Sequence, residues 1–169
     1  MQAAGAQRGE YVIRVNSRQL LDGIMETAGV IDPAQRGTVL RALDKFDKFG
    51  VEGVTLLLGK GRKDESGDVT QGAGLAANQI DVLLEFITAR STSRAETARK
   101  LANSVGMTRS GATGVAELAE IDSILTALGI GDDAAVFDPS IVRGLEYYTG
   151  PVFDAEFLRE FRDADGNAL

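Results

Sequence analysis

The residues best suited to chemistry lie near the C-terminal end of the chain, where an arginine and two tyrosines stand close together. Arg143 precedes Gly144, and Tyr147 and Tyr148 are adjacent. A guanidinium is a permanently charged, planar fork that matches phosphate or carboxylate, and a neighbouring glycine lets a ligand approach the backbone. The stretch is therefore a candidate site for an anionic substrate.

Two interpretations of this stretch remain open from the pattern alone. Apolar β-forming residues flank it, and Gly150 with Pro151 breaks the run. Adjacent residues of an extended chain point to opposite faces, so Tyr147 and Tyr148 are expected to face apart, one packing while the other reaches into a cleft. Alternatively, the stretch is an ordinary half-buried hairpin with both tyrosines in the core and Arg143 in solvent.

The order of residues 143–150, followed by Val152, Phe153 and Asp154, resembles the histidine-binding motif of histidyl-tRNA synthetases, a class II family. The eight consecutive positions 143–150 match in kind. Residues 11–23 and 40–75 look like the same family, so the resemblance extends over nearly the whole chain.

This resemblance implies a two-step reaction. The carboxylate of histidine attacks the α-phosphate of ATP, supplied with Mg²⁺ as a substrate of the parent enzyme, and the histidyl group then passes to the end of tRNA(His). Arg143 would be the catalytic cation at the α-phosphate. Tyr148 would face the substrate imidazole and Tyr147 would shape the histidine pocket, while Gly144 and Gly150 would let the backbone approach the ligand.

Composition excludes several other kinds of site. The 169 residues contain no cysteine and no histidine, which removes thiolate or imidazole zinc sites, cysteine nucleophiles and histidine acid–base pairs. No metal site and no cofactor held by this chain itself are expected. No apolar run suits a membrane span, and no targeting pattern opens the chain, so a cytoplasmic protein without a membrane partner is predicted.

The charge balance restricts where RNA can bind. The formal net charge is -7, so the surface as a whole does not resemble that of a nucleic-acid-binding protein, and any RNA contact must be local. Two basic clusters are candidates for phosphate contacts, although each also fits an ordinary solvated surface. The candidate residues are Lys60, Arg62, Lys63, Arg94, Arg99 and Lys100.

The first of these clusters lies in residues 59–68, whose polar, glycine-rich composition predicts a loop. The glycine and lysine at its start do not make a phosphate-binding P-loop, because Gly53 and Gly59 enclose five residues instead of four and Gly61 follows Lys60 where that motif needs serine or threonine.

The remaining elements predict an α+β fold. Residues 11–15 have a strand pattern, and Ser17 is a candidate N-cap for a helix that buries Leu20, Leu21 and Ile24. Residues 134–157 are again extended. We expect one mainly antiparallel sheet made from residues 1–16 and 131–169. The resemblance implies that residues 17–130 are a largely helical insertion domain lying over the acceptor end of the tRNA.

The chain also departs from the family pattern. We find no class II motif 1, 2 or 3 and no anticodon-binding domain, so the sequence is expected to be a piece of a longer, homodimeric enzyme and to be inactive alone. Two other interpretations remain. One is the histidine-sensing regulatory subunit of ATP phosphoribosyltransferase, whose members generally lack the inserted domain. The other is a helical interaction module with no catalytic role.

Overall fold

The protein was analysed as a computed structural model that describes residues 7, 9–63, 67, 69–105, 108–142 and 148–158. In chain order, these residues form β1 (Tyr11–Ser17), α1 (Arg18–Thr27), α2 (Pro33–Leu43), α3 (Phe46–Leu58), β2 (Gly61–Lys63), β3 (Val69–Gln71), α4 (Ala77–Ile87), α5 (Arg94–Val105), α6 (Arg109–Ala127), β4 (Ala135–Phe137) and β5 (Pro151–Phe157). The prediction of an α+β fold is confirmed. No helix in these described ranges is both long and apolar enough to cross a membrane.

A three-stranded sheet joins the first strand of the chain, β1, to the last two strands, β4 and β5. The strand order is β4-β1-β5, with β1 in the centre. β5 runs antiparallel to β1 from the pair Tyr11–Phe157 to the pair Ser17–Pro151, whereas β4 runs parallel to β1. The sheet is therefore mixed, and the expectation of a mainly antiparallel sheet needs this correction. The parallel pairing arises because the intervening helices return the chain to the end of the sheet where β1 starts.

Helix α1 forms as its sequence pattern predicts. The Ser17 hydroxyl accepts a hydrogen bond from the Gln19 amide at 3.1 Å, which caps the first turn. Leu20, Leu21 and Ile24 are each at most 2% exposed and belong to one continuous apolar core with residues of the sheet and the other helices. α1 thus connects the end of β1 to the centre of the molecule.

Helices α1 and α6 pack together through glycines. A Cβ added to Gly114 would lie 2.7 Å from the backbone nitrogen of Leu20, and one added to Gly23 would lie 2.6 Å from the backbone of Gly111. No real Cβ tolerates such distances without a shift of its neighbours. The two helix backbones can approach this closely only because glycine stands at the contact.

Replacing Gly114 with alanine is expected to lower the free energy of unfolding by about 1–3 kcal/mol, because the added methyl group overpacks this contact. The loss is expected despite alanine's better helix propensity, which is worth about 1 kcal/mol. Urea denaturation followed by circular dichroism measures it. Ser123→Ala, at an exposed position of the same helix, is the matched control, and an equal effect of both substitutions would contradict the close contact.

The segment predicted as a loop between α3 and α4 contains a β-hairpin instead. β2 and β3 pair antiparallel from Gly61–Gln71 to Lys63–Val69. Gly61 has φ of 102°, and a Cβ there would lie 2.7 Å from the amide nitrogen of Gly72, so this position requires glycine. Composition misled the prediction because a small exposed hairpin can be polar and rich in glycine.

Candidate functional site

Residues 143–150, called the arginine-tyrosine motif below, lie in the chain between β4 and β5. Ile141 and Val142, just before it, are 3% and 1% exposed. The predicted site residues Arg143, Gly144 and Tyr147 lie outside the described residues. The described chain resumes at Tyr148 with 46% of its surface exposed.

One residue of β1 holds the chain that enters the motif. The side-chain amide of Asn16 donates hydrogen bonds to the carbonyl oxygens of Pro139 at 3.2 Å and Ile141 at 2.9 Å. Asn16 is only 1% exposed, so these bonds are shielded from competing water. They fix the backbone two residues before Arg143.

The start of α1 holds the chain that leaves the motif. The Arg18 amide donates to the carbonyl oxygen of Gly150 at 2.9 Å, and the Gln19 side chain donates to the carbonyl oxygen of Thr149 at 2.8 Å. Asn16, which contacts the chain before the motif, lies only two residues before Arg18. Both ends of the motif are therefore attached to the same short junction between β1 and α1.

A carboxylate from α6 lies beside this junction. The Ser17 hydroxyl donates a 2.5 Å hydrogen bond to Oε2 of Glu117. A Cβ added to Gly150 would lie 3.6 Å from Oε1 of Glu117, in ordinary contact, so the carboxylate borders the end of the motif. Glu117 is on the same helix as Gly114, and the close packing of α1 on α6 therefore sets its position.

A buried ionic cluster fixes the end of β4. Oδ2 of Asp138 accepts from Nε of Arg14 at 2.9 Å and from Nη1 of Arg90 at 2.8 Å, and Oδ1 accepts from the Ser140 hydroxyl at 2.6 Å. Asp138 is 2% exposed. Burial alone would raise the pKa of this carboxyl, but the Ser140 hydrogen bonds and the Arg14 charge outweigh burial and lower the pKa below its ordinary value.

Arg14 connects this cluster to the helices. Its Nη1 lies 3.2 Å from the Asp47 carboxylate of α3, and its Nη2 donates to the Ser140 hydroxyl at 2.8 Å. Burial disfavours its charge, yet Asp47 and Asp138 raise the pKa of the guanidinium above its ordinary value. Strand β1, helix α3 and the segment after α4 thus meet at one ionic cluster. Asp138, a member of this cluster, is five residues before Arg143 in the chain.

The candidate RNA contacts fall into different environments. Lys60 and Lys63 are exposed around β2, and the Arg62 guanidinium lies 4.2 Å from the centre of the Phe49 ring. On α5, Arg99 is exposed, whereas Lys100 forms a surface pair with Glu96 at 3.9 Å.

The interpretation of Arg94 as a candidate RNA contact needs a correction, because its side chain points into the fold. It is 5% exposed and lies 2.6 Å from the Asp122 carboxylate. It also donates to the carbonyl oxygens of Ala135 at 2.9 Å and Ile130 at 3.1 Å. The guanidinium is fully engaged in joining α5 to α6 and β4, and it is not available to a phosphate.

The sequence of this chain matches a known protein family. The family model for histidyl-tRNA synthetase matches residues 2–163. The chain belongs to the histidyl-tRNA synthetase family. The resemblance in the arginine-tyrosine motif therefore reflects family membership, and the interpretation as an unrelated helical module has less support.

Two curated histidine–tRNA ligases align with nearly all of this chain. It is 50% identical to the histidine–tRNA ligase of Cereibacter sphaeroides over 98% of the chain and 51% identical to that of Caulobacter vibrioides over 100%. The alignments cover 35% and 34% of those proteins, so the chain spans about a third of the length of these relatives.

Solved structures of the family share the fold. The histidyl-tRNA synthetase from Nostoc sp. PCC 7120 superposes with a TM-score of 0.76 at 25% identity, covering 92% of this chain and 33% of that one. A Bacillus halodurans C structure titled as an ATP phosphoribosyltransferase regulatory subunit/histidyl-tRNA synthetase gives 0.69 at 19% identity, covering 94% and 36%, which shows similarity of fold alone.

Several residues around the histidyl-tRNA synthetase motif were not found by sequence reasoning. The sequence pattern indicates only a helix cap at Ser17, and it does not single out Asn16, Gln19, Glu117 or Asp138 as site residues. A polar pair at the end of an apolar strand is a weak signal, since it predicts a cap equally well. Only the tertiary contacts reveal that these side chains position the motif.

Proposed function

We propose that this chain is part of a histidine–tRNA ligase that activates histidine with ATP and transfers it to tRNA(His). The observation that carries the proposal is the attachment of both ends of the motif to residues 16–19, in a chain of this family. A site that must align two substrates needs such fixed supports, because small displacements of reacting groups are costly in rate.

In this proposal Arg143 is the catalytic residue. Attack of the histidine carboxylate builds negative charge on the α-phosphate of ATP, and a fixed guanidinium stabilises that charge more in the transition state than in the ground state. The anchored segment 138–142 directly precedes Arg143 in the chain. ATP, with Mg²⁺, is a substrate in this scheme and not a resident cofactor.

The histidine pocket is proposed to use the rest of the motif. The Tyr148 hydroxyl would bond the neutral imidazole, because a phenol can both donate and accept. Tyr147 would shape the pocket, and Gly144 and Gly150 would leave room beside the ligand. The Glu117 carboxylate, which lies next to Gly150, would add a negative charge at the edge of such a pocket.

The division into parts also stays a proposal. Residues 1–16 and 131–169 would belong to the catalytic sheet, and residues 17–130 would form the insertion that lies over the tRNA acceptor end. The complete enzyme is proposed to be a cytoplasmic homodimer. The candidate RNA contacts that retain accessible charge are Lys60, Arg62, Lys63, Arg99 and Lys100.

Exposed apolar side chains on and beside the sheet support the proposal that this chain is part of a larger catalytic domain. Phe153 and Phe157 of β5 are 61% and 42% exposed, and Leu128 after α6 is 68% exposed. Phe153 and Leu128 line one cavity of about 330 Å³ against β1. Clustered apolar side chains of this kind mark surfaces that other protein parts cover.

The direct test is charging of tRNA(His) with labelled histidine by the complete protein that carries this chain. We expect histidine to be attached, and no other amino acid in its place. A folded protein that binds histidine but charges no tRNA would instead act as a sensor, and the proposal would be wrong.

The isolated 169-residue chain is expected to show no histidine-dependent turnover. The resemblance places the ATP-binding arginines of this family in motifs that we do not find in this sequence. Release of pyrophosphate from ATP, with and without histidine, measures this. Histidine-dependent release well above the background without protein would show that the chain holds a complete activation site.

A further inference from the structure

A cavity of about 590 Å³ lies between α2, α3 and the β2–β3 hairpin, away from the arginine-tyrosine motif. Four cationic side chains line it: Arg41, Lys45, Lys48 and Arg62. Such a volume is in the range of sites for small molecules or single nucleotides.

These four charges are concentrated on a protein that is otherwise acidic. The whole chain has a net charge of -7. Among the residues that the structure describes, the ion pairs within 4.0 Å include none of these four side chains. The cavity therefore presents positive charge that a negatively charged ligand can neutralise.

The cavity also contains a flat aromatic surface. Arg62 lies over the Phe49 ring at 4.2 Å from the ring centre, and the Lys48 ammonium lies 5.3 Å from the same centre. Phe49 and Arg62 are both partly exposed, so this pair offers a planar platform at the cavity wall. Nucleic-acid bases stack on phenylalanine rings and on guanidinium planes.

Gly50 determines where this ring stands. It has φ of 61° and ψ of -169°, which breaks α3 directly after Phe49. The break separates the turn that carries Phe49 from residues 51–58, and a left-handed φ of this kind favours glycine.

From these contacts we infer that the cavity binds an unpaired nucleotide of an RNA partner, its base stacked on the Phe49–Arg62 pair and its phosphates on Lys45, Lys48 and Arg41. Free phosphate would contact only the cations, and a peptide made of acidic residues alone has no ring to stack on Phe49. The inference rests on the proposed function, which supplies the RNA as the acceptor end of a tRNA.

The test is a binding assay with the 169-residue chain and a fluorescent RNA hairpin that carries a four-nucleotide single-stranded 3′ tail. The same hairpin with a blunt end is the matched ligand. We expect the tailed hairpin to bind about ten-fold more tightly, and Phe49→Leu to remove about that factor, because the loss of one base–aromatic stack has an effect of this order. Phe49→Trp, which keeps a ring, should restore tail preference.

The salt dependence of RNA affinity distinguishes the contribution of the cations from that of the Phe49 ring. Lys45→Gln should reduce the slope of log affinity against log salt by about 0.7, the value for one phosphate contact with a single strand. Phe49→Leu should lower affinity without changing that slope. Arg109→Gln removes the same charge from an exposed position outside the cavity and should change neither.

Equal binding of tailed and blunt hairpins, or an unchanged affinity in Phe49→Leu, would overturn the inference. So would displacement of the tailed hairpin by polyglutamate with no effect of Phe49→Leu, which would indicate a site for acidic peptide. In each case the proposed function would still stand if the complete protein charges tRNA(His). Failure of charging with intact tail binding would contradict the proposed function alone.

Discussion

Replacing Arg143 with lysine in the complete protein is expected to slow formation of histidyl-adenylate by about a hundred- to a thousand-fold, the typical cost of losing one preorganised transition-state donor. Lysine keeps the positive charge but loses the planar fork that can bond two oxygens at once. The rate of pyrophosphate release in a single turnover measures the effect.

The expected signature of this substitution is a loss of rate with folding intact. Arg109→Lys, at an exposed position on α6, makes the same chemical change away from the motif and should leave the rate unaltered. If Arg143→Lys retained more than about a tenth of the wild-type rate, Arg143 would not be the catalytic cation that the proposal requires.

Replacing Asp138 with asparagine is expected to lower the free energy of unfolding by about 3–5 kcal/mol, as is usual when one partner of a buried ion pair is removed. Asparagine has almost the same shape but carries no charge, so Arg90 loses this carboxylate and Arg14 keeps only the more exposed carboxylates of Asp47 and Glu156. Arg14 is itself only 8% exposed, so water cannot replace the lost carboxylate.

Urea denaturation of the 169-residue chain measures this difference. Asp44→Asn is the matched control, since Asp44 is exposed at the end of α2 and takes part in no ion pair among the described residues. A loss of less than about 1 kcal/mol in Asp138→Asn would mean that the cluster contributes little more than a surface salt bridge.

The same carboxylate predicts how stability depends on pH. The pKa of Asp138 is lowered in the folded protein, so the unfolded chain takes up a proton first as the pH falls. Its contribution to stability is present above the unfolded pKa of about 3.9 and is lost as the pH falls from there through the folded value. Denaturation curves should therefore show a difference between wild type and Asp138→Asn that is constant above the unfolded pKa of about 3.9 and narrows as the pH falls below it.

Local sequence signals predicted the parts of the fold that local physics determines. The Ser17 cap and the apolar spacing of Leu20, Leu21 and Ile24 identified α1, because a single helical face buried in the core has an unmistakable period. Residues 134–157 were expected to be extended throughout, and the described part of this range contains β4 and β5, while residues 143–147 lie outside the described residues.

Tertiary contacts explain what the sequence could not predict. The apolar period of residues 39–46 continues past Leu43, yet the chain turns there and α3 starts at Phe46, and α3 is broken again at Gly50. Arg94 sits on the polar side of an apparently solvated helix, but carboxylates and carbonyls distant in sequence surround it. Such partners have no local signature.

The residues that hold the candidate site in place also have partners that are distant in sequence. Asn16 contacts Pro139 and Ile141 across more than 120 residues of chain, and Ser17 reaches Glu117 across 100. A sequence pattern describes neighbours along the chain and contains no information on contacts at this separation. The motif could thus be recognised from sequence, whereas the residues that hold it in place could not.

The measurement that tests the central claim most directly is exchange of labelled pyrophosphate into ATP by the complete protein, with histidine present and absent. Exchange reports reversible formation of the adenylate and needs no tRNA. The account predicts exchange that depends on histidine and is not supported by other amino acids. A folded, histidine-binding protein that catalyses no exchange, or exchange driven by a different amino acid, would contradict it.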